Sequence, residues 1–201
     1  MYIRPIAILI IVLISSEVKG QVMKIDNGIA FSSYHNNSDL SFLSSKKQKR
    51  YSVLLGADYL EKKFFNLSSQ AGFLTLGGKE ENTDLPDPYR KVSESKGFIH
   101  ANTTAQFFIR RGGIKYFLGA GPYANMSTGD RAFSNTVYPY TYQRFHWGAK
   151  TDLGIAYDTG KYRVGMNAVY LLNLSPVAKS SGLSLYNNPI SANLSLGFKL
   201  R

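Results

Sequence analysis

Eight stretches of this chain alternate apolar and polar side chains with a period of two, the spacing that sends successive residues to opposite faces of a β-strand. In the last of them Ile190, Ala192, Leu194, Leu196, Phe198 and Leu200 share one face, while Ser191, Asn193, Ser195, Gly197 and Lys199 share the other. The sixth sets Phe145, Trp147, Ala149, Thr151, Leu153, Ile155 and Tyr157 against His146, Gly148, Lys150, Asp152, Gly154 and Ala156. Tyr51 to Tyr59, Ile99 to Ile109 and Tyr162 to Leu172 behave in the same way, and a first strand is expected near Lys24 to Tyr34. Several of the apolar rows begin and end on an aromatic residue.

The connections between these stretches rotate strictly between long and short. Short ones are Leu60 to Lys63, Arg111-Gly112-Gly113 and Asp158-Thr159-Gly160, each with the Gly or charged residues that tight hairpins use. Long ones cover about residues 34–49, 78–96, 127–144 and 174–188. All long loops therefore emerge at one end and both chain termini at the other, as in bacterial barrels with short periplasmic turns and long extracellular loops. The expected fold is all-β: an eight-stranded antiparallel up-and-down transmembrane β-barrel.

A soluble barrel such as a lipocalin also alternates, with its apolar row inward. Two features favour the membrane. The polar row is the smaller set, rich in Gly119, Gly121, Gly148, Gly154, Gly165 and Gly197, as an eight-stranded lumen requires. The same row also holds charges of both signs, Asp58, Lys115, Lys150, Asp152 and Arg163, which would neutralise one another as a polar plug. Hydropathy is blind to such a chain, because lumen-facing residues dilute the lipid-facing ones.

Residues 1–20 read as a cleaved secretory signal: Arg4, an apolar run from Ile6 to Ile14, then a small-residue site ending at Gly20. The barrel domain is then 21–201. Removing Arg4, Lys19 and Glu17 with the signal lowers the net charge from +11 to +10. There is no Cys, hence no disulfide or thiolate metal site.

Taken together, segments such as YSVLLGADYL, IKYFLGAGPYANM, WGAKTDLGIAYDTGKYRVGMNAVYLL and ISANLSLGFKL give residues 21–201 a resemblance to the small outer-membrane barrels of Gram-negative bacteria, in particular the PorT-like family common in Bacteroidetes. LGAGPYANM followed by a polar loop and WGAKTDLGIAYD is the part most similar to that family. The resemblance implies a location in the cell outer membrane and carries no catalytic motif. It departs from many such barrels in ending Phe198-Lys199-Leu200-Arg201 rather than on an aromatic residue.

Candidate chemistry is sparse. The run Lys46-Lys47-Gln48-Lys49-Arg50, where the first long loop meets the second strand, suits the phosphates of lipopolysaccharide through Lys46, Lys47, Lys49 and Arg50. A solvated loop base is the plain alternative. Phe133, Tyr138, Tyr140 and Tyr142 form an aromatic third loop that offers a contact surface for an envelope protein partner, or else an aromatic lid. His146 with Ser127, Asp130 or Ser134 is the one grouping that resembles a rim active site, although no local motif supports it. His100 is expected nearer the periplasmic turn and so apart from His146. No catalytic residue, metal site or cofactor is assigned, and nucleic acid is excluded by the export signal and the lack of any binding motif.

The leading expectation is thus a non-enzymatic outer-membrane barrel with a closed polar lumen, acting in envelope integrity, adhesion or as a subunit of an export or attachment complex. A lipid A-modifying or proteolytic barrel enzyme, and a soluble lipocalin-like carrier of a hydrophobic ligand, are the alternatives.

Overall fold

The computed structural model describes residues 22–36, 45–81, 91–130, 132, 140–180 and 183–200; the expected signal segment, 1–20, lies outside them. In chain order the strands are β1 (Val22–Ser32), β2 (Tyr34–Asn36), β3 (Ser45–Lys46), β4 (Gln48–Tyr59), β5 (Phe65–Glu81), β6 (Lys91–Arg111), β7 (Ile114–Ser127), β8 (Thr141–Tyr142), β9 (Phe145–Thr159), β10 (Tyr162–Asn173), β11 (Ala178–Ser180), β12 (Leu183–Asn187) and β13 (Ile190–Lys199). Eight of them, β1, β4, β5, β6, β7, β9, β10 and β13, pair antiparallel in chain order. Pairing of β1 with β13, from Val22 opposite Lys199 to Phe31 opposite Ile190, closes the ring. The expected eight-stranded barrel is the fold.

The hairpin turns follow from local chemistry. Gly112 and Gly113 have φ of 59° and 82°, the left-handed pair that a two-residue turn between twisted strands requires. The third short turn lies one residue later than its sequence suggests, because Thr159 still pairs with Tyr162 and the turn is Gly160-Lys161. The first runs from Leu60, itself at φ 51°, through Phe64.

Through the apolar band the barrel is inside out. Large apolar side chains face outward, among them Leu55, Leu118, Leu153, Met166 and Leu194, each more than half exposed. Aromatic residues ring both margins: Tyr162 packs edge-on against Phe198 and Phe65 lies tilted against Phe107 towards the turn end, while Tyr51, Phe145 and Trp147 mark the loop end. A surface of this extent and composition is stable in hydrocarbon, and a closed ring is the β-structure that leaves no backbone group unpaired there. The described lumen side is polar and buried, with the side chains of Lys24, Asp26, Asp58, Lys115, Lys150, Asp152 and Arg163 all below a tenth exposed.

Beyond the band at the loop end the outer row turns polar, and apolar residues enter the inward row beside the buried Glu94 and Lys96. On β5 the inward positions become Leu74 and Leu76 while Lys79 faces out; on β6 Phe98 is inward while Ser93 and Ser95 are outside. Val169 and Leu171 of β10 join them. Here the outer wall meets water, so the apolar residues retreat inside, as in a soluble protein. A four-stranded sheet of loop segments, in the order β2, β12, β11, β8, packs Tyr34, Tyr142, Ala178 and Leu185 onto that apolar layer and caps the lumen. The expectation that residues 78–96 form a loop is corrected accordingly: β5 and β6 continue as a paired hairpin up to Glu81 opposite Lys91. Residues 34–49 and 174–188 likewise supply β2, β3, β11 and β12 rather than unstructured chain.

Candidate functional site

The lumen is built from side chains of all eight wall strands. Near the turn end Asp58 accepts from Lys24 at 2.8 Å and from Arg163 at 3.1 Å. Arg163 also forks onto Asp158 at 2.7 and 3.2 Å and approaches Glu61 at 3.7 Å. Arg110 reaches the same Glu61, and Lys199 lies 3.4 Å from Asp158. Six strands or their turns are thereby tied to one another, and the cations deep in the wall meet carboxylates, the condition for burying them.

At mid-depth Lys150 donates to Gln70 at 2.8 Å and Asn102 at 3.0 Å, with Asp152 at 3.4 Å. Gln70 and Asn167 both donate to Asp26, and Asn193 donates to Asn167. Lys115 donates to Asn66 and sits 4.3 Å from the Phe108 ring. Glycines make this crossing of long side chains possible: a Cβ on Gly119 would collide with Asp152, and one on Gly154 with the Phe117 ring. The interior void beside Lys24, Asp58, Lys115 and Arg163 is about 20 Å³, room for a single water rather than a channel. Purified protein in planar bilayers is therefore expected to show no large, stable conductance steps, and such steps would refute a filled lumen.

The histidines correct their sequence reading. His100, Asn125 and His146 lie in one cross-strand row, His100 opposite Asn125 on β7 and Asn125 opposite His146 on β9. His100 Nδ1 and Asn125 Oδ1 are 2.7 Å apart, Asn125 Nδ2 donates to His146 Nε2 at 2.9 Å, and Asn102 Nδ2 donates to His100 Nε2 at 2.9 Å. These contacts put the proton on Nδ1 of both rings; His100 donates it to Asn125, while His146 Nδ1 is buried without a hydrogen-bond partner among the described residues. Phe98 packs edge-on against His146 at 4.9 Å. Of the residues grouped with His146 in the sequence, Ser127 Oγ is buried without a hydrogen bond and Asp130 offers its main-chain carbonyl to Lys96. Ser134 lies outside the described residues. The arrangement joins the two imidazoles to amides and, among the described residues, hydrogen-bonds neither to a nucleophile.

Phe133 and Tyr138 of the aromatic loop lie outside the described residues. Tyr140 and Tyr142 are buried, 3% and 1% exposed, because they pack into the apolar layer under the cap rather than on an outer contact surface. The Tyr142 hydroxyl lies 2.8 Å from that of Tyr34 and donates to Glu94, while Lys96 sits over its ring. Burial pushes both phenols up from their ordinary range.

The basic run divides by strand period. Lys46, Lys47 and Lys49 are exposed; Arg50 is half-buried and turned toward Gln48 at the mouth. Lys49 Nζ lies 6.0 Å from the ring of Phe31, just beyond the outward row that contains Tyr51. Lys79, absent from the sequence grouping, pairs directly opposite Lys46 and widens the patch. Pairing of β3 with the upper part of β5, across the short turn that joins β4 to β5, brings it there.

No protein-family model and no curated protein matches the sequence. Solved structures do. Neisserial surface protein A is 12% identical with a TM-score of 0.55, over 90% of this chain and 97% of that one. The outer membrane protein AlkL, determined in DMPC lipid bilayers, is 12% identical with a TM-score of 0.60, over 91% of each chain. Ail, the attachment invasion locus protein of Yersinia pestis, in complex with the heparin analogue sucrose octasulfate, is 13% identical with a TM-score of 0.50, over 90% and 99%. The likeness is one of fold, a small outer-membrane β-barrel that each chain spans almost end to end.

Proposed function

We propose that this chain is a non-enzymatic structural barrel of the outer membrane that engages lipopolysaccharide at its outer margin and presents its capped loop end to the outside, in envelope integrity, in adhesion or as a subunit of an export or attachment complex. The single observation that carries this reading is the placement of Lys46, Lys47, Lys49 and Lys79 immediately beyond the aromatic margin of the apolar band, where phosphates of the outer leaflet lie. The side-chain-filled lumen supports a structural role over transport, and the amide-bonded histidines support it over hydrolysis. Membership of the PorT-like barrels is part of the same reading and rests on LGAGPYANM and WGAKTDLGIAYD.

The test is lipopolysaccharide co-purification with a variant in which Lys46, Lys47, Lys49 and Arg50 are all replaced by Gln. With about 1 kcal/mol for each of the three exposed lysines, retention should weaken by roughly a hundredfold. Added salt should weaken the native protein in the same direction, since exposed charges are screened over ~8 to 10 Å. Unchanged retention would reduce the run to a solvated loop base. Lipase, deacylase or protease activity that disappears in His146→Ala would replace the structural reading with an enzymatic one.

A further inference from the structure

The lipid-facing wall is not smooth. A groove of about 940 Å³, in the range of ligand sites, crosses the strands from Tyr51 on β4 to Tyr116 on β7. Its floor is shallow at Ala192 and Ala168, paired side by side, and Leu153 continues the row on β9. Tyr51 lies three residues from the loop end of β4, whereas Tyr116 lies two residues from the turn end of β7. The groove therefore descends obliquely through the apolar band. Five strand spacings make it about 24 Å long, the scale of an extended acyl chain.

Two features at its upper end are not apolar. Lys49 precedes Tyr51 by two residues on the same face, over the Phe31 ring, and so stands at the head of the groove. Asn27, whose neighbours on that face of β1 are Ile25 and Ile29, is exposed to the lipid side and lines the groove. Its amide has no hydrogen-bond partner among the described residues. An amide that faces hydrocarbon without a partner is costly, and a ligand that supplies one relieves the cost. Reading downward, the wall presents a cation, then an amide with donors and an acceptor, then an apolar trough. That is the order of groups in an anionic lipid whose acyl chain carries a hydroxyl or ester oxygen close to a phosphorylated head.

We propose that the groove seats one acyl chain of a lipopolysaccharide molecule, with its phosphate at Lys49 and an acyl oxygen on the Asn27 amide. This rests on the reading of the basic run as a phosphate contact and adds to it a chain-specific site. The lipid is then a bound component, held at one place on the wall, rather than a diffuse annulus.

The probe is purified lipid A added to the refolded full barrel in detergent, with bound lipid counted by native mass spectrometry and folding checked by heat-modifiable gel mobility. The native protein should retain one lipid A through detergent exchange. Ala168→Trp with Ala192→Trp fills the trough with side chains that a lipid face accepts, and should weaken retention at least tenfold. Asn27→Leu should weaken lipid A several-fold and leave hexadecyl phosphate, which has an anion and a chain but no acyl oxygen, unchanged. Full retention in the filled-groove variant, alongside loss in the quadruple charge variant, would overturn the groove while sparing the phosphate contact. Loss in neither would overturn both. Loss in the groove variants alone would remove the phosphate from Lys49, and equal loss of the two probes in Asn27→Leu would remove the amide; either result refutes the arrangement proposed.

Discussion

Replacement of Asp58 by Leu is expected to destabilise the barrel by roughly 3 to 5 kcal/mol, the cost of removing one partner from a buried charge pair. Asp58 is 3% exposed and accepts from both Lys24 and Arg163, so its loss strands two cations at once. Arg163 keeps Asp158, which limits the damage on its side. Lys24 has no second ion pair among the described residues, and its residual neighbour Asp26 is engaged by Gln70 and Asn167. Urea titration of the protein folded into lipid vesicles measures this directly. A midpoint within experimental error of the native protein would mean that the ion cluster is solvated rather than structural.

The second large effect lies on the opposite face. Leu153→Arg places a cation on the lipid side in the middle of β9, where Leu153 is 62% exposed, and should cost about 2 to 4 kcal/mol. The same titration, with Thr151→Ser on the same outward row as a mild control, reads it. Equal tolerance of both variants would show that the outward face meets water. On the lumen side, Asn167 is no neutral position despite its ordinary place in the alternation. It donates to Asp26 and accepts from Asn193, so Asn167→Ser leaves a buried carboxylate one donor short and costs on the order of 1 kcal/mol.

Particular residues show how much of this was legible in the chain. The wall strands and their inward charges follow from strict period two, which is undisturbed from Phe145 to Tyr157 because each side of the wall meets a single medium. The pattern loses its meaning where the medium changes. Leu74, Leu76 and Phe98 sit on the row that is polar lower down, so a rule of apolar-out reads the top of β5 and β6 as a loop. The cap was hidden for another reason: β2, β8, β11 and β12 are short segments from three loops, and their pairing is long-range. The histidine row was half accessible. Counting outward from the Gly112-Gly113 turn pairs His100 with Asn125, because a tight turn sets the register of both its strands. No such count reaches His146 across a long loop. Lys24 and Asp26 alternate with Met23 and Ile25, so the inward charges of β1 follow from the same period of two.

Closure of the ring by β1 against β13 has a consequence for biogenesis. The strand that supplies the final partner for β1 is the last of the eight wall strands in chain order, and its ladder runs from Ile190 to Lys199. Until it arrives, β1 and β10 each present an open row of amides and carbonyls, and every such group costs several kcal/mol in hydrocarbon. A sheet with both edges bare is therefore disfavoured in hydrocarbon, so pairing of β13 with β1 is coupled to insertion. A chain cut within β13 is then not a weaker barrel but an unclosed sheet with no place in the membrane.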